Sequence, residues 1–384
     1  MTTGPTAPRG VGGVRRSWLA VGALVAGLLA MRAVAPFVAP PMADAPAAGP
    51  AGDLPGPVAV PLAAGAARPA PLAEATGTSL LLGGDGGLLR VDLDHGLVRP
   101  VPLPVGAAEA DGGLVERGGV VVAVRGGIAY ATSGRPVRPA TPLGPASYAL
   151  ASAAPGRVWL IEETGDPERW FRLRELDLGG SPVGGAAPAR GVLPLEQRPV
   201  AGVPGGLLVH VVGAGSGLAV WNPRTGRLGR RLVTAATLTG VAARGRAVAW
   251  VEYSTLHLGD LVTGRDRVVA PPPGSDGFAA PGAFSPDGRT LAAVTRVGFS
   301  TRPDLALVAV VQATAARVTG SEGALSDRCS PCLAWAPAGD WVFFSRLGPG
   351  FGIGAYRLGR PRAVTVPVEV PFSFPPSFAA TRPE

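Results

Sequence analysis

Cys329 and Cys332, in "DRCSPCLAW", are the two cysteines of the chain, and their C-x-x-C spacing is its first candidate for chemistry. A metal would need further ligands, yet His95, His210 and His257 stand far away at no ligand spacing. Covalent haem would need a histidine after Cys332, and Leu333 stands there. A thioredoxin-like site would open a helix in a βαβ unit, and the surrounding sequence has no such pattern. A local disulfide and a pair of free thiols remain.

Carboxylates come paired at Glu162 with Glu163, and at Asp92 with Asp94, which would suit glycosidic chemistry if they converged. Adjacent acids on a strand point to opposite faces, and Asp92 and Asp94 fall at an expected hairpin turn, so both pairs read as solvated turn or strand carboxylates. The sequence has no G-x-S-x-G elbow, H-E-x-x-H, P-loop or strand-borne G-x-G-x-x-G. No catalytic, cofactor-binding or metal-ligating residue is therefore assigned.

The elements that would position any site follow from composition and repetition. The 384 residues include 57 Gly and 42 Pro, yet 47% are hydrophobic, so many turns must join many short apolar segments. All 35 basic residues are Arg and the net charge is +8, but the arginines are scattered, with small clusters only at Arg230–Arg231 and at Arg360 with Arg362. With aromatics at 6%, that is no nucleic-acid platform.

A turn glycine precedes a short apolar run seven times: Gly77 before "TSLLL", Gly118 before "GVVVAV", Gly156 before "RVWLI", Gly205 before "GLLVHVV", Gly245 before "RAVAWVE", Gly288 before "RTLAAV" and Gly339 before "DWVFF". The mean spacing is close to 44 residues. Each run leads into a strand, a polar turn and a further strand, as in "LAVWNPRTGRLGRRLV". A four-stranded antiparallel unit of this length is a β-propeller blade, and seven fit the usual range of about four to eight. No such sheet buries both faces alone; blades ringed about an axis cover one another. The fold class is therefore all-β, a seven-bladed β-propeller over residues 72–384. The alternative is a β-sandwich, or a pair of β domains, with accidental periodicity, because sandwiches also have closely spaced strands. Trp159, Trp221, Trp250, Trp335 and Trp341 lie within strands and are expected to pack between blades rather than form a sugar-binding platform.

"FSPDGRTLAAV" at 284–294 and "WAPAGDWVFF" at 335–344 resemble the inner-strand turn of TolB-like and WD-type propeller repeats, while "VWNPRTGR" and "LGDLVTGRDR" resemble their outer hairpin. The WD dipeptide and the Gly-His pair of WD repeats are not present. The resemblance spans about 300 residues, from near Leu72 to near Phe374, and implies a scaffold role at the cell envelope.

The amino end carries a membrane signal. Residues 1–16 form a basic tail with Arg9, Arg15 and Arg16, and residues 17–39 form an apolar segment interrupted only by Arg32. From Trp18 to Val38 it is 21 residues, enough for a membrane-spanning anchor helix. If the helix instead ends at Arg32, the segment is a signal peptide, with Ala43-Asp44-Ala45 as the cleavage site. Either way the remainder lies outside the cytoplasm, at the cell membrane or secreted. Residues 40–71 read as a disordered Pro/Ala/Gly-rich linker. Outside the cytoplasm the reading for Cys329 and Cys332 is a disulfide ahead of the seventh inner strand.

These expectations combine into a monomeric, membrane-tethered propeller that binds a protein or cell-envelope component, needs no cofactor and does not bind nucleic acid. The alternatives are a propeller hydrolase or lyase with its site in the central channel, or a sensor domain for a small ligand.

Overall fold

The computed structural model describes residues 72–84, 87–101, 113–117, 119–132, 140–165, 170–178, 190–213, 216–234, 237–296, 303–322, 333–347, 351–368 and 377–381. The basic tail, the apolar segment 17–39, the linker 40–71 and both cysteines lie outside these residues. Among those described, no helix is long and apolar enough to cross a membrane.

Seven four-stranded antiparallel sheets account for the described strands. The inner strands of blades two to seven are Leu114–Arg117, Tyr148–Ala151, Gln197–Val203, Leu238–Arg244, Gly277–Phe284 and Leu333–Trp335. Blade one takes its inner strand from the far end of the chain: Ser377–Thr381 pairs antiparallel with Ser79–Gly84, with Leu80 opposite Ala380 and Leu81 opposite Ala379. Each inner strand neighbours the next, and the last meets the first, so the ring is closed.

The second strands explain why seven sheets form one body. They are continuous apolar runs rather than alternating ones, because both of their faces are covered. Leu80 and Leu82 pack against blade seven while Leu81 packs against blade two. Val121 and Ala123 face blade one, and Val122 and Val124 face blade three. The apolar clusters follow this rule around the circle, one at each junction between neighbouring blades.

All five tryptophans named above lie in these junctions. Trp159 of blade three meets Trp221 of blade four edge to face, with ring centroids 6.1 Å apart. The outer strand of blade three makes room for Trp221 with Gly191, where an added Cβ would lie 2.3 Å from the indole Cζ2. The Trp335 indole N–H donates to the Ala283 carbonyl of blade six at 2.8 Å. The indole nitrogen of Trp221 is buried without a hydrogen-bond partner in the described structure, which carries a desolvation cost. Trp221→Phe removes that cost along with some packing. It is expected to lower stability by less than about 2 kcal/mol in urea titration.

The turn from inner to second strand recurs. Ser285 N donates to Thr290 O and Gly288 N to Ser285 O; Ala336 N donates to Trp341 O and Gly339 N to Ala336 O. The two turns share one backbone. Six of the seven expected turn glycines (77, 156, 205, 245, 288 and 339) have positive φ, which glycine adopts without a Cβ penalty. In blade two Gly119 has positive φ, and the expected Gly118 beside it lies outside the described residues.

The first described segment is docked as well. Leu72 packs on the cluster between blades seven and one, and Glu74 pairs with Arg357 and Arg360 of blade seven.

Candidate functional site at the channel mouth

The inner strands run in one direction around the axis, so their last residues and the turns that follow lie on one face. On that face a cavity of about 790 Å³ opens among blades two to six. Its walls are mostly small: Ala151, Ala153, Gly202, Ala243, Gly282 and Ala283 contribute little beyond backbone and methyl groups. Three inner-strand glycines permit this close convergence. A Cβ on Gly202 would sit 2.1 Å from the Ala151 carbonyl oxygen of blade three, and one on Gly282 would sit 2.0 Å from Leu333 Cδ1 of blade seven. One on Gly240 would lie 3.1 Å from Pro281 Cδ of blade six.

Charge enters this apolar wall at two positions. Arg117 ends the inner strand of blade two and Arg244 ends that of blade five; both line the cavity. Each is anchored to a carbonyl of the following blade: Arg117 Nη2 donates to Ser152 O and Arg244 Nε to Pro286 O, both at 2.8 Å. Ser152 is itself held, its hydroxyl donating to Glu175 Oε1 at 2.6 Å. Burial lowers the proton affinity of both guanidiniums, and the charge of Arg244 lowers that of Arg117 further. Both remain cations, as arginine does in proteins.

The nearby carboxylates are engaged elsewhere. Asp287 Oδ1 accepts from the Ser285 hydroxyl at 2.6 Å and from Arg289 N at 3.0 Å, and Glu116 Oε1 accepts from Gly119 N at 2.8 Å. Arg246 pairs with Asp260. The Ser285 hydroxyl, aided by Arg289, holds the Asp287 carboxyl below the ordinary range. A depressed carboxyl stabilises the fold above its unfolded pKa, and that contribution disappears as pH falls through the folded value. Asp287→Asn keeps the acceptor and removes the charge. Its melting-temperature deficit at neutral pH is therefore expected to shrink below about pH 4.

Among the described residues, those singled out in the sequence for chemistry do not meet here. Asp94 accepts from Thr76 N at 2.6 Å, from the Thr76 hydroxyl at 2.9 Å and from Gly77 N at 2.8 Å, fixing the approach to blade one. Asp92 holds His95 Nδ1 at 2.9 Å. Glu162 lies 3.9 Å from Arg172 across blade three. His210 belongs to blade four, and His257 stacks on Trp250 in blade five with centroids 5.0 Å apart. Among the described residues, no group of three or more His, Cys, Asp or Glu side chains could hold a metal ion.

Arg117 and Arg244 were not among the residues that the sequence marked for chemistry. Their signal is positional: each directly precedes a turn glycine, Gly118 or Gly245, where the other repeats have Thr76, Pro155, Pro204, Asp287 and Ala338.

Fold and closure define a seven-bladed β-propeller. No family model matches the chain, and neither does any curated protein. Among solved structures it is similar to TolB from Acinetobacter baumannii, at 13% identity over 77% of this chain and 78% of that one, with a TM-score of 0.45. It is similar to the periplasmic gluconolactonase PpgL of Pseudomonas aeruginosa, at 16% identity over 80% and 99%, with a TM-score of 0.49. It is also similar to an oligogalacturonate lyase in complex with manganese, at 14% identity over 80% and 87%, with a TM-score of 0.50. The likeness is one of fold.

Proposed function

We propose that this chain is a non-catalytic propeller scaffold, held outside the cytoplasm as a membrane-tethered monomer, that binds a protein or cell-envelope component at the mouth of its central channel. The observation that carries this reading is the cavity of about 790 Å³. Five consecutive blades frame it on a rigid ring, and its small-residue walls leave room for an inserted group. A concave site of this size, with a few polar groups set in an apolar wall, is suited to binding. Cavity walls built from inner-strand backbone cannot shift without disturbing the junctions behind them, so the site is preorganised.

The test is cross-linking and pull-down of the full chain from membranes. The expected result is a reproducible partner, with the propeller domain digested by protease added outside intact cells. Capture of no partner, together with turnover in an ester or glycoside panel, overturns the scaffold reading.

A further inference from the structure

We infer that the channel mouth holds a single anionic group, a carboxylate or a phosphate, between Arg117 and Arg244. The inference deepens the binding reading above and rests on the same cavity. The two arginines come from strands three blades apart, and ring closure brings both to one wall-lined space.

Neither guanidinium has a carboxylate within 4.0 Å among the described residues, whereas Arg246, at the same mouth, does. Glu116 and Asp287 are the acids close enough to act on them, and each spends one carboxylate oxygen, Glu116 Oε1 and Asp287 Oδ1, on turn groups. Arg117 Nε is buried with no hydrogen-bond partner among the described residues. Such a group costs free energy until an acceptor arrives. Two like charges also oppose each other across a space walled by alanine and glycine. An anion between them relieves the repulsion and satisfies the open donors together.

Each arginine spends one donor on a neighbouring carbonyl, which fixes its side chain while leaving the rest of its fork for a ligand. Arginine's planar fork suits the two oxygens of a carboxylate or phosphate, and a lysine would not reproduce it.

The probes are glycerol phosphate and glycerate, with glycerol as the neutral body common to both, measured by calorimetry on the full chain. At least one anion is expected to bind with a Kd of about 1 mM or tighter, weakening as salt is added, while glycerol does not bind. The stronger of the two identifies the anionic group. Arg117→Gln and Arg244→Gln are each expected to weaken it by about tenfold or more. Arg117→Lys and Arg244→Lys, which keep the charge, are expected to weaken it less, and they serve where the Gln variant does not fold. Binding of neither anion, or equal binding by wild type and a normally melting Gln double variant, overturns the inference.

Partner capture on the same preparations separates the two readings. A partner kept without anion binding leaves the scaffold standing and removes this site. Anion binding with no captured partner and with turnover in the ester or glycoside panel keeps this site and removes the scaffold.

Discussion

Deleting the residues beyond 376 is expected to abolish the cooperative melt. The removed strand, Ser377–Thr381, pairs along its length with Ser79–Gly83, and five ladder residues at about 1 kcal/mol each amount to about 5 kcal/mol. That is a large share of the roughly 5–15 kcal/mol that separates folded from unfolded states. The loss also extends sideways. Ala380 belongs to the junction with blade seven and Ala379 to the junction with blade two, so one strand's removal uncovers two interfaces and bares an apolar edge along Leu80–Leu82. Urea denaturation and gel filtration of the truncated chain read the result. A truncated protein melting within a few degrees of wild type, as a monomer, would refute the closure described above.

Gly202→Ala is expected to cost about 3 kcal/mol, a large effect for one methyl group. The added Cβ would meet the Ala151 carbonyl oxygen at 2.1 Å and Ser152 Cα at 2.8 Å. These are backbone atoms of the neighbouring inner strand, so no side-chain rotation relieves the clash. Relief requires blades three and four to part at the axis. Gly282→Ala meets the Ala292 carbonyl oxygen at 2.7 Å as well as Leu333, and should behave alike. Gly165→Ala is the control, with nothing within 4 Å of its added Cβ, and should stay within about 0.5 kcal/mol of wild type. Chemical denaturation of all three decides the matter; equal stabilities would mean that the inner ring is looser than its geometry.

The repeat was legible because the same physical demand recurs from blade to blade. The chain takes positive φ as it enters the second strand, at Gly77 in blade one and at the reversal from the inner strand at Gly156, Gly205, Gly245, Gly288 and Gly339, and glycine does so without a Cβ penalty. In blade two, Gly118 and Gly119 stand in tandem; Gly119 has positive φ, and Gly118 lies outside the described residues. Not every turn uses this device: Tyr253 and Ser254 take positive φ in blade five, where composition marks no glycine. The tryptophans' role was legible too, since a large side chain within a strand covered on both faces must enter a junction.

The closing strand was harder to read. The sequence offers two segments that could close the ring, the one before Gly77 and the tail "PVEVPFSF", and the strand that does so begins three residues beyond that tail. "SFAAT" is short, with side chains that are small apart from Phe378, so its pattern is weak; its partner, about 300 residues away in sequence, gives it meaning. The channel arginines were hidden for a similar reason. Arg117 and Arg244 are 127 positions apart in a chain where arginine is the sole strong base, and nothing short of ring closure relates them.

The bond between Ser377–Thr381 and Ser79–Gly84 also sets the order of assembly. A ribosome delivers the first of these segments some 300 residues before the second, so the growing polypeptide must carry an unsatisfied sheet edge through nearly all of its synthesis. Contacts so distant in sequence form slowly, and an unpaired edge invites the wrong strand. Biogenesis, more than the finished molecule, is where this architecture is exposed to misassembly, and a chaperone shielding Leu80–Leu82 would act on its weakest moment.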